Sequence, residues 1–193
     1  RIMSNYFSYF PLVAHDLKGD GKFVALQNIM RRFKIKSSVK SAVGVYHSYD
    51  IQAGDRPDTI AHKYYGNSKW AWVVLHFNDI QDPLWDWPMF DPMFSDYIKN
   101  KYGSLASAST TIHEYRWIYQ EREISYDGIV TPEKYHVVDE TTYNTLNINE
   151  RKAVTQYDYE TEINDEKRKI NILDAKYLPQ LEAEVKNIIK NGL

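Results

Sequence analysis

The pattern of apolar and polar positions begins with a segment that has few regular signals. Tyr6 to Val13 is an apolar run, Asp20-Gly21 is a turn signal, and Ala25 to Met30 has the pattern of one or two helical turns ending near Phe33. A segment of this size cannot form a core by itself. We therefore expect residues 1–42 to be an arm that packs on the rest of the chain or on another protein.

The centre of the chain predicts a strand followed by two short helices. Val43 to Ile51 has strand character. Asp58 can cap a helix from Thr59 to Tyr65, because its side-chain oxygen can accept an unpaired amide of the first turn. Gly66-Asn67 then suits a left-handed stop, and a second helix runs from Ser68 to Phe77. The side chains that this helix is predicted to bury are Trp72, Val73, Leu75 and Phe77.

A tryptophan-rich connection and a third helix complete this central domain, residues 43–103. Asn78-Asp79 ends the second helix, and the third helix is predicted from Pro92 to Lys101. We expect Trp85 and Trp87 of the connection to be buried against the two preceding helices, because a pair of exposed tryptophans would be costly in a small soluble domain.

The remaining chain, residues 104–193, changes to a period of two. Residues 104–111 are small and polar, and we predict a weakly structured boundary there. Ile112 to Tyr119 is a predicted strand whose alternating positions form two faces. One face carries His113, Tyr115, Trp117 and Tyr119, and the other carries Ile112, Glu114, Arg116 and Ile118.

Further strands and a terminal helix follow. Lys134 to Val138 is a predicted strand after a turn at Tyr126-Asp127-Gly128, and Thr155 to Ile163 and Lys169 to Leu173 are predicted to pair as a hairpin, with Tyr157 and Tyr159 on one face. A helix from about Lys176 carries one apolar stripe at helical spacing, formed by Leu178, Leu181, Val185 and Ile188. The predicted fold class is α+β: an extended N-terminal arm, a small central domain and a strand-rich C-terminal region that ends in an amphipathic helix.

Composition and charge favour a protein that binds other proteins. The chain has 16 tyrosines, five tryptophans and no cysteine, and Tyr and Trp are enriched at interfaces. The net charge is −2, but residues 1–45 are basic. Arg31 and Arg32 belong to a short basic cluster, for which nucleic acid, a solvated helix face and an acidic protein partner are the alternatives. The lack of a long apolar run argues against a membrane-spanning segment.

A set of motif residues in the central domain resembles the LysM module. That family reads as a strand, a Gly-Asp pair, Ile-Ala, an aromatic-Gly pair, a second helix and an Asn. The matching residues are Gly54, Asp55, Ile60, Ala61, Tyr65, Gly66 and Asn78. This chain departs from the family in two places, since Arg56-Pro57 replaces the usual Thr-Leu, and a tryptophan-containing segment replaces the short closing strand.

The variant motifs are more specific than the LysM pattern. Together with Trp72, they are similar to the LysM-like baseplate wedge proteins of contractile-tailed, T-even-type phages. The motifs are Gly54-Asp55-Arg56-Pro57, Tyr64-Tyr65-Gly66-Asn67, Asn78-Asp79-Ile80, Asp82-Pro83, Trp85-Asp86-Trp87-Pro88 and Lys101-Tyr102-Gly103. The resemblance implies a structural protein of the virion, located in the tail baseplate and assembled in the host cytoplasm. It would join wedge core proteins and neighbouring wedges, near the sheath-initiating subunit.

Two other functions remain as alternatives. A LysM module can bind peptidoglycan, although Arg56-Pro57 alters the loop that would meet the sugar, so we do not expect glycan binding. A cell-wall hydrolase would need a catalytic domain, and the sequence selects no catalytic pair, zinc-ligand spacing or phosphate loop. We predict no enzyme activity, no metal or cofactor, and no nucleic-acid or membrane partner. The predicted partner-binding residues are Arg31, Arg32, Arg56, Pro57, Tyr115, Trp117, Tyr157, Tyr159, Leu178, Leu181, Val185 and Ile188.

Overall fold

The computed structural model describes residues 6–30, 32–35, 40 and 44–191. Its strands are β1 (Leu12–His15), β2 (Val24–Gln27), β3 (Tyr46–Asp50), β4 (Ile112–Gln120), β5 (Glu123–Ile124), β6 (Val130–Thr131), β7 (Lys134–Val138), β8 (Arg151–Thr155) and β9 (Lys169–Leu173). Its α-helices are α1 (Pro57–Tyr65), α2 (Ala71–Phe77), α3 (Met93–Tyr102), α4 (Leu105–Thr110), α5 (Glu140–Thr145), α6 (Gln156–Glu166) and α7 (Leu178–Asn191). Short 3₁₀ turns lie at Tyr6–Tyr9, Ser68–Trp70, Ile148–Glu150 and Ala175–Tyr177. The structure is mixed α and β, with small antiparallel sheets.

The chain forms two compact units. The first unit combines residues 1–87 with 168–193, and the second unit is residues 88–167. These bounds differ from the boundaries expected at 42/43 and 103/104, because β9 and α7 return to the N-terminal part of the chain. The segment 43–103 is therefore divided between the units.

The first unit is organised around the antiparallel pair of β3 and β9. The register places Tyr46 opposite Leu173 and Asp50 opposite Lys169. The strand predicted at Lys169 to Leu173 is confirmed, but its expected hairpin partner is wrong. Thr155 to Ile163 lies mainly in helix α6, because Thr155 is the N-cap and its Oγ1 accepts the amide of Asp158 at 3.1 Å.

The helix–turn–helix predicted between these strands is present, with a different start. α1 begins at Pro57 rather than Thr59, since proline is favoured in the first turn, and Asp58 lies inside that turn instead of capping it. Gly66 has φ 70° and ends the helix as predicted. In α2, Val74 is buried and Leu75 is only half-buried, so the buried face is turned slightly from the predicted one. The other buried side chains of this core include Ile51, Ile60, Ala61, Val73, Phe77 and Ile172.

The N-terminal segment contains an antiparallel hairpin of β1 and β2, with Leu12 opposite Gln27. The helical turns expected from Ala25 are therefore wrong. The loop explains the hairpin, because the Asp16 carboxylate accepts the amides of residues 18, 19, 20 and 21. These bonds, that of Gly21 first, hold the pKa of Asp16 below its usual range. The loop turns the chain back so that β2 pairs with β1.

The terminal helix α7 packs on the beginning of the chain. Tyr9 and Phe10 are buried in the first unit, as are Leu178, Val185 and Ile189 of the helix. The Tyr9 hydroxyl donates to Glu182 Oε1 at 2.7 Å. Of the two partners expected for the arm, the rest of the chain or another protein, the Tyr6–Tyr9 turn therefore has one within the chain, the terminal helix.

The second unit contains a three-stranded antiparallel sheet in the order β7, β4, β8. The strands predicted at 112–119 and 134–138 are confirmed. Residues 104–111, expected to be weakly structured, contain α4, whose N-cap Ser104 accepts the amide of Ser107 at 3.0 Å. Buried residues of the unit's apolar cluster are Met89, Phe94, Ile98 and Ala108.

Candidate interaction surfaces

The Gly-Asp motif forms a loop that several hydrogen bonds to Asp55 hold in place. The Asp55 carboxylate accepts the hydroxyl of Tyr49 at 2.6 Å and the amide of Gln52 at 2.9 Å. The Asp55 carbonyl accepts the indole N–H of Trp87 at 3.1 Å. Gly54 has φ 88°, a conformation that glycine adopts without strain. Gly54 and Asp55 therefore stabilise the local structure of the first unit.

The two motif tryptophans have different environments. Trp87 is half-buried and bonded to the Asp55 loop, whereas Trp85 is 57% exposed. The expectation that both rings are buried against α1 and α2 is wrong for Trp85. Trp85 lies in a turn held by Asp82 and Asp86, because Asp82 Oδ1 accepts the amide of Leu84 at 2.9 Å and Asp86 Oδ2 accepts the amides of Gln81 and Asp82.

The remaining motif residues stabilise the first unit. Ile60, Ala61 and Trp72 are buried, and burial raises the pKa of the Tyr65 hydroxyl. Arg56 is exposed, and its Nε lies 3.1 Å from Asp58 Oδ1, so its guanidinium pairs with a carboxylate of this chain. Pro57 is half-buried at the start of α1.

A groove in the first unit has aromatic walls and a basic rim. This aromatic groove has a volume of about 920 Å³. Tyr6 stacks on Trp72 with ring centroids 5.3 Å apart, and Phe33 lies 4.6 Å from the ring of His76. The Tyr6 hydroxyl lies 3.1 Å from His76 Nε2. Burial, with a smaller contribution from the charge of Lys40, lowers the pKa of His76, so the imidazole is neutral near pH 7.

Two of the three basic side chains that line this groove among the described residues belong to the N-terminal basic cluster seen in the sequence. Arg32 and Lys34 are exposed and line the groove, together with Lys69 of the 3₁₀ turn before α2. Arg31 lies outside the described residues. Asp79 also lines the groove, and its Oδ2 is 2.6 Å from Lys40 Nζ. The sequence indicated the charge but gave no signal for the aromatic walls, since these come from three separate segments.

The β1–β2 hairpin is a second exposed surface. Its strands show apolar side chains to solvent, among them Leu12 at 68% and Val24 at 47% exposure. Ile29 and Met30, which follow the hairpin, are also exposed. This surface lies within the region predicted as an arm.

A third surface is the aromatic face of the sheet in the second unit. Trp117 and Tyr119 of β4 are exposed, and Tyr119 stacks on His136 of β7 with ring centroids 4.8 Å apart. Tyr115 lies 4.6 Å from the ring of Tyr143, which the sequence pattern did not indicate. Trp117 is therefore exposed and Tyr115 is half-buried, and partner binding by these two residues stays a prediction.

The opposite face of this sheet carries a buried arginine with its ion-pair partners. Arg116 is 3% exposed, and its guanidinium lies 2.6 Å from Glu114 Oε1 and 2.7 Å from Glu162 Oε2. The ring of Tyr135 lies 4.0 Å from the guanidinium carbon. Since a buried charge is costly unless it is paired, these contacts give this face a structural role.

Six of the predicted partner-binding residues are buried or half-buried within their own unit. Tyr157 packs against the apolar cluster of the second unit, and Tyr159 stacks on His113 at 3.8 Å. They do not share the face expected of a strand, since residues two apart diverge on a helix. Leu178 and Val185 are buried in the first unit, while Leu181 and Ile188 are half-buried there.

A buried carboxylate, Glu160, lies in a polar cluster of the second unit. It accepts hydrogen bonds from Lys101 at 2.6 Å, Tyr102 at 2.6 Å and Tyr97 at 3.1 Å. Burial opposes its ionisation, but these hydrogen bonds lower the pKa of Glu160 below its ordinary value. The donors account for the buried charge, and we interpret the cluster as structural.

The described part of the chain has neither a candidate metal site nor a candidate membrane-spanning helix. No group of three or more His, Asp or Glu residues there could hold a metal ion. The helices within the described ranges fall short of the length and apolar content needed to cross a bilayer.

Comparison with known proteins identifies the family. A family model described as base plate wedge protein 53 matches residues 3–180. The chain is similar to the baseplate wedge protein gp53 of Enterobacteria phage T4, with 27% identity over 88 residues. That alignment spans 45% of this chain and 44% of the relative, which is less than half the length of either protein. Because the family model covers most of its length, this chain belongs to the base plate wedge protein 53 family.

Proposed function

We propose that this protein joins wedge core proteins to one another and to neighbouring wedges during assembly of a contractile-tail baseplate, near the sheath-initiating subunit. Membership of the family makes this protein a structural component of a phage baseplate wedge, located in the tail of the virion. A protein that joins others needs surfaces that bury apolar area against its partners.

The observation that carries this role is the exposed apolar surface of the β1–β2 hairpin. An isolated two-stranded hairpin is only marginally stable in water, and exposed apolar patches mark interaction sites. Leu12, Val13, Val24 and Leu26 are all exposed on this hairpin. A partner that covers them would both stabilise the hairpin and gain an attachment point.

We also propose that the first unit contains a LysM-like docking body whose closing strand is β9. In the LysM pattern the closing strand follows the second helix directly. Here β3, α1 and α2 have that order, and β9 pairs with β3 after the second unit has intervened in the chain. The strand–helix–helix–strand order supports the likeness, and the module then consists of residues 46–77 with 169–173.

The geometry of the loop at Asp55 disfavours glycan binding. The loop of a LysM module that meets the sugar corresponds to Asp55 to Asp58. The Asp55 carboxylate is already bonded to Tyr49 and Gln52, and its carbonyl is bonded to the Trp87 indole. Polar groups already engaged in this way have less capacity to bind a sugar, so we expect no binding of chitin oligomers in the micromolar range.

Reconstitution with purified wedge proteins of the same phage tests the joining role. The amide of Asn28 donates to the carbonyl of Pro11 at 2.8 Å, so these residues are adjacent and an Asn-Gly turn can replace residues 12–27. We expect this variant to keep the folded circular dichroism signal and the melting temperature of the natural chain. Its affinity for wedge proteins, measured by sedimentation, should fall at least about tenfold.

A matched control keeps the hairpin and removes its loop charges. Lys18→Ala with Lys22→Ala leaves the apolar strands intact and should associate like the natural protein. Normal association of the hairpin deletion would overturn this attachment role. Micromolar binding of chitin oligomers, without association with any wedge protein, would favour the glycan-binding alternative.

A further inference from the structure

We infer that the aromatic groove binds an acidic peptide segment of a partner protein, one that carries an aromatic or large aliphatic anchor next to Asp or Glu. This inference rests on the proposed joining function and names the chemistry of one contact. The groove is formed by residues of the first unit alone.

The floor and walls of the groove provide the apolar part of the site. Trp72 and Phe10 are almost fully buried at its base, and Phe33 and Leu75 are half-buried beside them. A volume of about 920 Å³ is within the roughly 300–1,000 Å³ typical of ligand sites. An apolar anchor that enters it would be removed from water on most sides, which is the property of interface hot spots.

The walls are already arranged in the free protein. The stacking of Tyr6 on Trp72 and the contact of the Tyr6 hydroxyl with His76 join the N-terminal segment to α2. Phe33 adds an edge contact to Trp72, with ring centroids 6.1 Å apart. Since these side chains hold one another, little conformational entropy remains to be lost when a ligand enters.

The charge of the groove selects the ligand. Arg32, Lys34 and Lys69 line it, and Asp79 is the one carboxylate among the described lining residues. Lys40 neutralises that carboxylate at 2.6 Å, and His76 adds no positive charge because it is neutral. Arg32 and Lys34 are exposed at the rim, where positive charge steers an acidic segment towards the site.

Two apolar side chains at the rim allow a test that leaves the core intact. Phe7 and Ile29 line the groove and are 49% and 62% exposed. A photoreactive benzoylphenylalanine at either position, in the full chain assembled with wedge proteins, would record the occupant. We expect a crosslink to a partner peptide with an aromatic or large aliphatic residue flanked by Asp or Glu.

Charge reversal tests the electrostatic part. We expect Arg32→Glu with Lys34→Glu to slow association with wedge proteins by about tenfold or more at low salt and to reduce the salt dependence. Lys63→Glu with Lys169→Glu makes the same change in net charge on exposed side chains of the first unit outside both the groove and the hairpin. This control should retain most of the natural association rate. Ile29→Ser should raise the dissociation rate.

The outcomes separate this inference from the proposed function. If the natural chain associates with wedge proteins and the groove variants match the control, the groove inference is overturned and the joining function stands. A crosslink to a glycan, to a basic peptide or to a second copy of this chain also overturns it. If the natural chain associates with no wedge protein, both proposals fail.

Discussion

The side chain of Asn78 binds both backbone polar groups of Asn171. Its Oδ1 accepts the amide of Asn171 at 2.7 Å, and its Nδ2 donates to the carbonyl of Asn171 at 2.8 Å. The same Nδ2 donates to the carbonyl of Val74 in α2, also at 2.8 Å. The Asn that follows the second helix of the motif therefore attaches β9 to α2, in addition to ending the helix.

Replacing Asn78 by Ala should destabilise the first unit by about 2–3 kcal/mol, because it leaves the amide and carbonyl of Asn171 without these partners. Urea denaturation would measure this loss. Asn67→Ala is a suitable control, since Asn67 accepts a single amide, that of Lys69, and its loss should cost about 1 kcal/mol. Equal losses in the two variants would contradict the role given to Asn78.

Local signals in the sequence predicted the elements whose contacts are close in the chain. The β4 alternation, the turn at Gly128 and the left-handed stop at Gly66 were all recognised, because each depends on neighbouring residues. Thr155 to Ile163 was misassigned for the same reason. Its Tyr and Thr residues favour a strand, but the cap at Thr155 and packing of Tyr157 in the apolar cluster stabilise a helix.

Contacts between distant segments could not be predicted from local patterns. The pairing of β3 with β9, and of the Tyr6–Tyr9 turn with α7, joins residues more than a hundred positions apart. The sequence indicated both apolar segments, but no local pattern showed that the N-terminal turn and the terminal helix pack on each other. The aromatic groove was missed because Tyr6, Phe33 and Trp72 come from separate segments with no shared motif.

The Glu160 cluster predicts a stability that depends on pH in the second unit. The folded-state pKa of Glu160 is lowered, so its stabilising contribution is present above the ordinary glutamate pKa of about 4.3 and is lost as pH falls below that value. We expect Glu160→Gln to cost about 2 kcal/mol at pH 7, because it removes an ionised acceptor from three donors.

Comparison of the natural chain with Glu160→Gln between pH 3 and pH 7 measures this contribution. The difference in unfolding free energy should be constant above about pH 5 and should shrink at lower pH. Glu166→Gln, at an exposed position of the same helix, makes the same charge change and should have little effect. A difference that grows on acidification would mean that Glu160 is not held as a carboxylate.

Tyr49 should ionise at unusually high pH. Its hydrogen bond to the Asp55 carboxylate, with a further contribution from burial, raises the pKa of the hydroxyl to about 12. A raised pKa in the folded state means that the tyrosine stabilises the fold below its ordinary pKa of about 10 and loses this contribution as pH rises towards the folded value.

The ionisation of Tyr49 can be followed by NMR with labelled tyrosine rings. We expect Asp55→Asn to bring the pKa of Tyr49 back towards about 10, because the negative acceptor is removed. Asp58→Asn removes the same charge from the first turn of α1 and should leave the Tyr49 titration near its natural position. No difference between the two variants would contradict the assigned cause.

The terminal helix offers a direct test of which side chains stabilise the first unit. The sequence stripe contains Ile188, but the structure buries Ile189, which is 1% exposed, and leaves Ile188 half-buried. Ile189→Ala should therefore cost about 2–4 kcal/mol, because it removes buried carbon atoms and leaves a cavity between α7 and its surroundings. Ile188→Ala should cost about 1 kcal/mol or less, since solvent already reaches that side chain. Thermal and urea denaturation of the two variants, which have identical composition, would measure the difference. A larger loss for Ile188→Ala would show that the helix presents its predicted stripe to the unit, and a loss in neither would mean that α7 contributes little to the stability of this unit.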